Sequence, residues 1–275
     1  MLNKHHLKQL TKRLNTNIQL IAITLMAMLL PACGINLNPW DSQARINAQD
    51  QTDVNVKDVA NQTNQLIGQT VTVRSKIVDR VGTSAVTISD KQLLRGENIL
   101  VVNASPSPFD LPPNNVNLQV TGEVHKFNLA KTARDFNLNL PRDSFLKYEN
   151  RPVIIARSLA LAPKPGQVTQ DPKLYYNRPV AVEAEIEKTI SPIAFTLDEE
   201  QLMGASDLLV LNVTPEKAIS QGQKVVVTGI VRPFVVADIQ RDYNLTWDLE
   251  WQRQIEAEYS NKPVLIAQRV YPVDP

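Results

Sequence analysis

The chain has 275 residues, 43% of them apolar, a formal net charge of +1, one cysteine and three histidines. The apolar share allows sizeable cores, and the near-neutral balance argues against a general nucleic-acid binder, which carries a strong basic footprint. A single cysteine forms no internal disulfide, so stability has to come from packing.

Residues 1–17 hold Lys4, Lys8, Lys12 and Arg13 and no acid, and Ile18 to Leu30 are then almost wholly apolar. A basic segment followed by a short apolar one is the layout of a secretory signal. At ~1.5 Å per residue a helix over this run is roughly 20 Å long, against the ~30 Å of a bilayer's hydrocarbon layer. A spanning helix is therefore the poorer reading.

The run closes on Leu29-Leu30-Pro31-Ala32-Cys33-Gly34. This ending resembles the lipobox of bacterial lipoproteins. Leu30, Ala32 and Cys33 match that pattern, and Pro31 departs from its usual small residue. The resemblance implies removal of residues 1–32 as a signal peptide and a diacylglycerol on the Cys33 sulfur, at the new N-terminus. It implies a protein of the cell envelope, lipid-anchored and facing the periplasm or exterior. Gly34 in place of an aspartate favours release to an outer membrane by the same resemblance. The rival is a small buried cysteine behind an ordinary signal. Loss of four cations with the signal leaves 25 basic against 28 acidic side chains, unevenly placed. Residues 33–163 carry 14 basic and 12 acidic groups, and residues 164–275 carry 11 and 16.

Residues 33–56 are polar and read as a flexible tether, apart from Pro39-Trp40. Trp40 either dips into headgroups, docks on a domain or is a plain tether residue. Beyond the tether an internal repeat appears. Gln69-Thr70-Val71-Thr72-Val73 aligns with Arg178-Pro179-Val180-Ala181-Val182 at an offset of 109, and Leu100-Val101-Val102-Asn103 with Leu209-Val210-Leu211-Asn212. After short slips, Val120-Thr121-Gly122 meets Val227-Thr228-Gly229, and Pro152-Val153-Ile154-Ile155-Ala156 meets Pro263-Val264-Leu265-Ile266-Ala267. A period this long suits a whole small domain rather than a solenoid unit. It predicts two homologous domains over 57–163 and 164–275, joined at the Pro-rich Ala162-Pro163-Lys164-Pro165-Gly166.

Each copy reads as strands. Val71, Val73, Ser75 and Ile77 fall on one face and Thr72, Arg74 and Lys76 on the other, the period of a half-buried strand. Runs at 85–89, 98–103, 117–127 and 152–160 follow, matched at 194–198, 207–213, 223–234 and 263–271. Gly122 and Gly229 fall inside strands, where glycine marks a bulge or tight bend. Trp247, Trp251, Ile255 and Tyr259 recur every four residues and predict a helix side that covers a barrel end. The fold class expected is mainly β: two tandem small five-stranded barrels, each with a short helix. The layout resembles the OB-fold, although the helix stands between strands four and five rather than three and four. The tandem copies behind an anchor are also similar to envelope lipoproteins of photosynthetic bacteria, a family that supplies no activity to carry over.

The inventory for catalysis is thin. His5 and His6 leave with the signal, so His125 alone remains, and a surface cation explains it together with its counterpart Arg232. No P-loop or dinucleotide glycine pattern occurs. Asp198-Glu199-Glu200 offers oxygens to a hard cation, but a solvated turn is the better reading. No catalytic residue, metal site or cofactor is therefore expected. The most unusual feature is Arg-Asp-(Phe/Tyr)-Asn-Leu, at 134–138 and again at 241–245. It reads either as a structural cap or as an exposed pair, Arg134 with Phe136 and Arg241 with Tyr243, that stacks a sugar or base or anchors a protein. The expectation is a non-enzymatic, membrane-anchored protein whose barrels bind an envelope protein or glycan, with nucleic acid disfavoured. The alternative is an envelope glycan hydrolase using paired carboxylates, although nothing singles out a pair.

Overall fold

The computed structural model describes residues 52–89, 98–105, 116–198, 207–215, 218–245 and 247–273. Cys33, the signal segment and residues 33–51 of the expected tether lie outside the described residues. Structure starts within the remainder of that tether. A two-residue strand, β1 (Thr52–Asp53), pairs parallel with β2 (Thr70–Val81). A short helix, α1 (Val56–Asn61), follows. Asn55 caps it by accepting from the Asp58 N–H at 2.9 Å, while Asp58 accepts from the Asn55 N–H at 3.2 Å. This reciprocal box satisfies two N–H groups that the first turn leaves without partners. Its Val56 and Val59 are buried. So few apolar positions in a polar stretch leave a weak helical signal. A second turn of helix, α2 (Thr63–Leu66), leads into β2.

The period-two pattern holds in β2: Val71, Val73 and Ser75 are buried and their neighbours are not. The strand pairs antiparallel with β3 (Ala85–Ser89), which pairs antiparallel with β4 (Ile99–Asn103). β4 runs parallel to β6 (Pro152–Leu161), and β5 (Asn117–Lys126) lies antiparallel between β6 and β2. The order β2-β3-β4-β6-β5-β2 closes a five-stranded barrel. Inside it pack Val71, Val73, Ile88, Val101, Leu118 and Ile154. The bulge expected at Gly122 is there, between Thr121 and Gly122 opposite β6. A Cβ at Gly122 would sit 2.3 Å from the Ile155 carbonyl oxygen, so only glycine fits.

The β5–β6 connection holds α3 (Leu129–Asp135) and α4 (Arg142–Phe145). Phe127, Leu140, Phe145 and Tyr148 pack on Leu100, Val102, Val153 and Ile155. Those strand residues alternate with the ones that face the barrel interior, so the connection covers the outer wall. That is why Ile99-Leu100-Val101-Val102 is continuously apolar: both of its faces are buried.

Past β6 the chain forms α5 (Pro165–Gln170), with Val168 buried, and then β7 (Pro179–Ser191). β7 pairs antiparallel with β8 (Ala194–Asp198) and with β10 (Lys224–Pro233). β9 (Leu208–Asn212) pairs antiparallel with β8 and parallel with β11 (Pro263–Pro272), which returns antiparallel to β10. A bulge between Thr228 and Gly229 repeats the earlier one, and a Cβ at Gly229 would sit 2.1 Å from the Ile266 oxygen. Val182, Ile186, Phe195, Leu197, Val210 and Val227 share one cluster.

α6 (Val236–Tyr243) and α7 (Leu249–Tyr259) fill the β10–β11 connection. Trp247, Ile255 and Tyr259 are buried against Leu209, Leu211, Val264 and Ile266, with Trp251 partly buried beside them. The aromatic stripe thus covers the outer sheet face rather than an end. Strand alternation leaves Leu209 and Leu211 apolar on that face, and the helix supplies their cover. Phe234 stacks on Trp247 at 6.1 Å, and Trp247 meets Trp251 edge-on at 4.9 Å. Neither indole N–H has a partner among the described residues.

One register pair, Leu161 with Val180, joins β6 to β7 and makes all the strands a single sheet. Val116 and Leu161 pack into the cluster built mainly from β7–β11. Pro163, Pro165 and Gly166 of the Pro-rich joint are buried. Arg74 crosses from β2 to Glu183 on β7 at 2.7 Å and also donates to Gln119 at 2.8 Å. Lys224 meets the same glutamate at 3.0 Å. Burial works against a charged Glu183, but the Lys224 hydrogen bond and the charges of Arg74, Lys224 and Lys164 outweigh it and hold its carboxyl below the usual pKa. No helix among the described residues is long and apolar enough to cross a membrane.

Candidate functional site

The repeated Arg-Asp-aromatic-Asn-Leu stands at the C-terminal ends of α3 and α6. Asn137 and Asn244 both have φ of 51°, the left-handed region that asparagine tolerates better than other side chains. Beyond each, the chain turns back onto its helix. The Leu138 N–H donates to Ala133 O at 2.9 Å, and the Leu245 N–H to Gln240 O at 3.1 Å. Such bonds satisfy helix-end carbonyls that have no partner within the helix. Leu138 and Leu245 then pack on the outer clusters. Asparagine and leucine of the motif are thereby spent on ending a helix.

The charged pair is exposed and self-engaged. Arg134 Nε donates to Asp135 at 3.0 Å and Arg241 Nε to Asp242 at 2.9 Å, with side chains 76% and 69% exposed. Lys131 and Arg134 both bond Asp135 and hold its carboxyl below the usual range. Asp242 is lowered in the same way by Arg232, at 2.7 Å, and by Arg241. The aromatics differ. Phe136 is 42% exposed, whereas Tyr243 is half-buried on the outer cluster. Among the described residues, cation–ring contacts are Lys147 over Tyr148 and Lys262 over Tyr259, and neither involves the motif. His125 pairs with Glu123 at 3.0 Å, and Arg157 meets the same carboxylate at 2.9 Å.

A second cluster is assembled by the sheet. Glu187 lies at the β7 bulge, Asp198 ends β8 and Asp207 precedes β9, with a carboxylate oxygen of each within 4.8 Å of the others. The interaction with the Asp207 carboxyl raises the Glu187 pKa, helped by a small loss of hydration and the charges of Asp207 and Asp198. Three such oxygens suit a proton or a hard cation. The sequence alone singled out Asp198 of this trio, because strand register rather than spacing brings Glu187 and Asp207 beside it. Its neighbours Glu199 and Glu200 lie outside the described residues. The equivalent positions in the first repeat are Val78, Ser89 and Asn98, so the fold does not require these acids.

On the first barrel a shallow pocket is lined by Thr83, Ser84, Ala85, Val86, Val101, Asn103 and Leu159. Asn103 accepts there from the Ser105 N–H at 3.0 Å and hydroxyl at 2.7 Å, a local turn bond. No protein-family model matches the chain, and no match was found among curated proteins.

Proposed function

We propose that the chain is a lipid-anchored, non-enzymatic envelope protein in which two OB-like barrels bind a protein or glycan partner. In this reading Cys33 carries the lipid and β7–β11 close a second barrel, homologous to the first. The observation that carries it is the basic, apolar and cysteine-terminated leader placed ahead of a duplicated β unit. Support for the duplication comes from matched details at matched positions. These are the bulges at Gly122 and Gly229, the left-handed pairs Asn137/Asn244 and Asn150/Asn261, and the bridges Ile67–Val124 and Tyr176–Val231.

In OB barrels, ligands are taken on the face of strands two and three. Here the outward side chains of strand three, Leu100 and Val102 or Leu209 and Leu211, with the first residue of strand two, Ala85 or Ala194, lie under each copy's own helical connection. Binding then falls to the loops and to the solvent side of those connections, where Arg134, Phe136 and Arg241 stand. The hydrolase alternative draws on the raised Glu187. Its carboxylate has an oxygen within 4.8 Å of one on Asp207, closer than the ~5 Å or more that flanks a scissile glycosidic bond. Capture of a tagged chain from solubilised envelopes is the test. A recurrent protein or bound glycan, reduced by Arg134→Glu and Phe136→Ala, is expected; recovery of the chain alone sinks the binding role.

A further inference from the structure

The β5–β6 connection has one side fixed on the barrel wall. Its ends are pinned where the Phe127 N–H donates to Arg151 O at 2.8 Å and the Asn150 N–H to Phe127 O at 2.9 Å. Glu149 accepts from the Leu129 N–H at 3.0 Å and the Asn128 amide at 3.2 Å. With Phe127, Leu140, Phe145 and Tyr148 turned to the wall, the remaining side faces water. It shows two large apolar side chains, Phe136 and Leu146, 42% and 49% exposed. Lys131, Arg134, Arg142 and Lys147 are exposed on the same connection.

Charge sets this connection apart from its counterpart. Lys126 to Arg151 carries six basic and three acidic side chains, whereas Arg232 to Lys262 carries four basic and six acidic. Both pack on a sheet face through aromatic and aliphatic residues, so packing does not dictate the sign. Of the three acids in the first, Asp135 is shared by two cations, Glu149 is engaged by α3, and Asp143 is exposed next to Arg142 in sequence. The exposed Leu249 of the second stands between Asp248 and Glu250 instead.

We infer that this face of the first barrel rests on an anionic lipid surface, with Phe136 and Leu146 among the headgroups and the surrounding cations on the phosphates. Apolar side chains set among lysine and arginine are the composition of elements that lie in the membrane interface. Each cation near an anionic bilayer strengthens binding about fivefold. The chain order suits the contact. Thr52 follows Cys33 by 19 residues, a reach of at most roughly 65 Å when fully extended. The inference rests on the anchored reading for delivery to the membrane, while the headgroup contact is a separate claim with its own readout.

The test uses the full-length chain carrying Cys33→Ser and one new cysteine, Phe136→Cys or Leu146→Cys, labelled with an environment-sensitive dye. Vesicles are phosphatidylcholine alone or mixed with phosphatidylglycerol, each doped with a lipid-borne quencher. Quenching is normalised to the vesicle-bound fraction of each variant, measured by co-sedimentation, so the readout is local contact. Quenching at both positions is expected on anionic vesicles. It should fall roughly tenfold on neutral ones, in Arg134→Glu/Lys147→Glu, and when salt rises from about 0.1 M to about 1 M. A dye at Leu249→Cys should not respond. Equal quenching at all three positions, no quenching at 136 and 146, or quenching that ignores salt overturns the inference. So does contact at 136 that appears only when a second protein is added. Failure of the anchored reading shows separately, as an unacylated Cys33 in the natural chain.

Discussion

Asn244→Ala tests whether the repeated motif is a helix stop. Asn244 holds φ of 51°, and the chain beyond it is fixed by the Leu245 N–H to Gln240 O bond and by Leu245 on the outer cluster. A Cβ in left-handed backbone costs about 1–2 kcal/mol, and asparagine offsets part of that through local polar contacts. Alanine lacks the offset, so Asn244→Ala is expected to lose about 1 kcal/mol, whereas Asn244→Gly should be neutral or slightly stabilising. In urea the midpoint should fall for alanine with the slope unchanged, and Tm should drop by about 2–4 °C. Asn137→Ala and Asn137→Gly should behave alike, since φ is the same. The refuting result is glycine as harmful as alanine at both sites. That would assign the asparagine side chain, rather than the backbone, the work of the motif.

Gly229→Ala places a Cβ 2.1 Å from the Ile266 oxygen and should cost about 1–3 kcal/mol or more, with Gly122→Ala close behind at 2.3 Å; a urea midpoint unchanged by both would contradict the bulge packing. Glu183 contributes stability above its unfolded pKa of about 4.3, lost as pH falls through its lower folded value. Arg74→Ala should therefore lose about 0.5–1 kcal/mol at neutral pH and less in acid, a difference that equilibrium unfolding across pH resolves. An Arg74→Ala cost independent of pH would contradict the pairing.

Strands were legible in the sequence because their chemistry is local. Turn residues between runs place β3 to β6 within a residue of where they lie, while the alternation Val71, Val73, Ser75 and Ile77 finds β2 but not its continuation to Val81. The two glycines marked their bulges for the same reason. What the sequence left open depends on contacts far apart in the chain. Trp251, Ile255 and Tyr259 lie along α7 as their spacing suggests, but Trp247 stands ahead of the N-cap Asp248, outside the helix, and whether the group meets a barrel end or a wall is decided by Leu209, Leu211 and Ile266, whose outward faces alternation alone cannot assign. α1 escaped notice because six residues carry too short a pattern. Glu187 and Asp207 escaped because register, not sequence spacing, brings them beside Asp198. The repeated Arg-Asp-aromatic-Asn-Leu was visible, but its meaning needed the left-handed φ at Asn137 and Asn244. Phe136 and Tyr243 then part company: one is exposed, the other packs on the outer cluster.

The proposed function turns on Cys33 as the tie between this mainly β chain and a membrane. The most direct measurement is the mass of the N-terminal peptide of the chain isolated from the membranes of its own cells. A peptide beginning at Cys33 and carrying a diacylglycerol is the predicted result. A chain that keeps Met1, or one cut elsewhere with a free Cys33 thiol, would contradict the account.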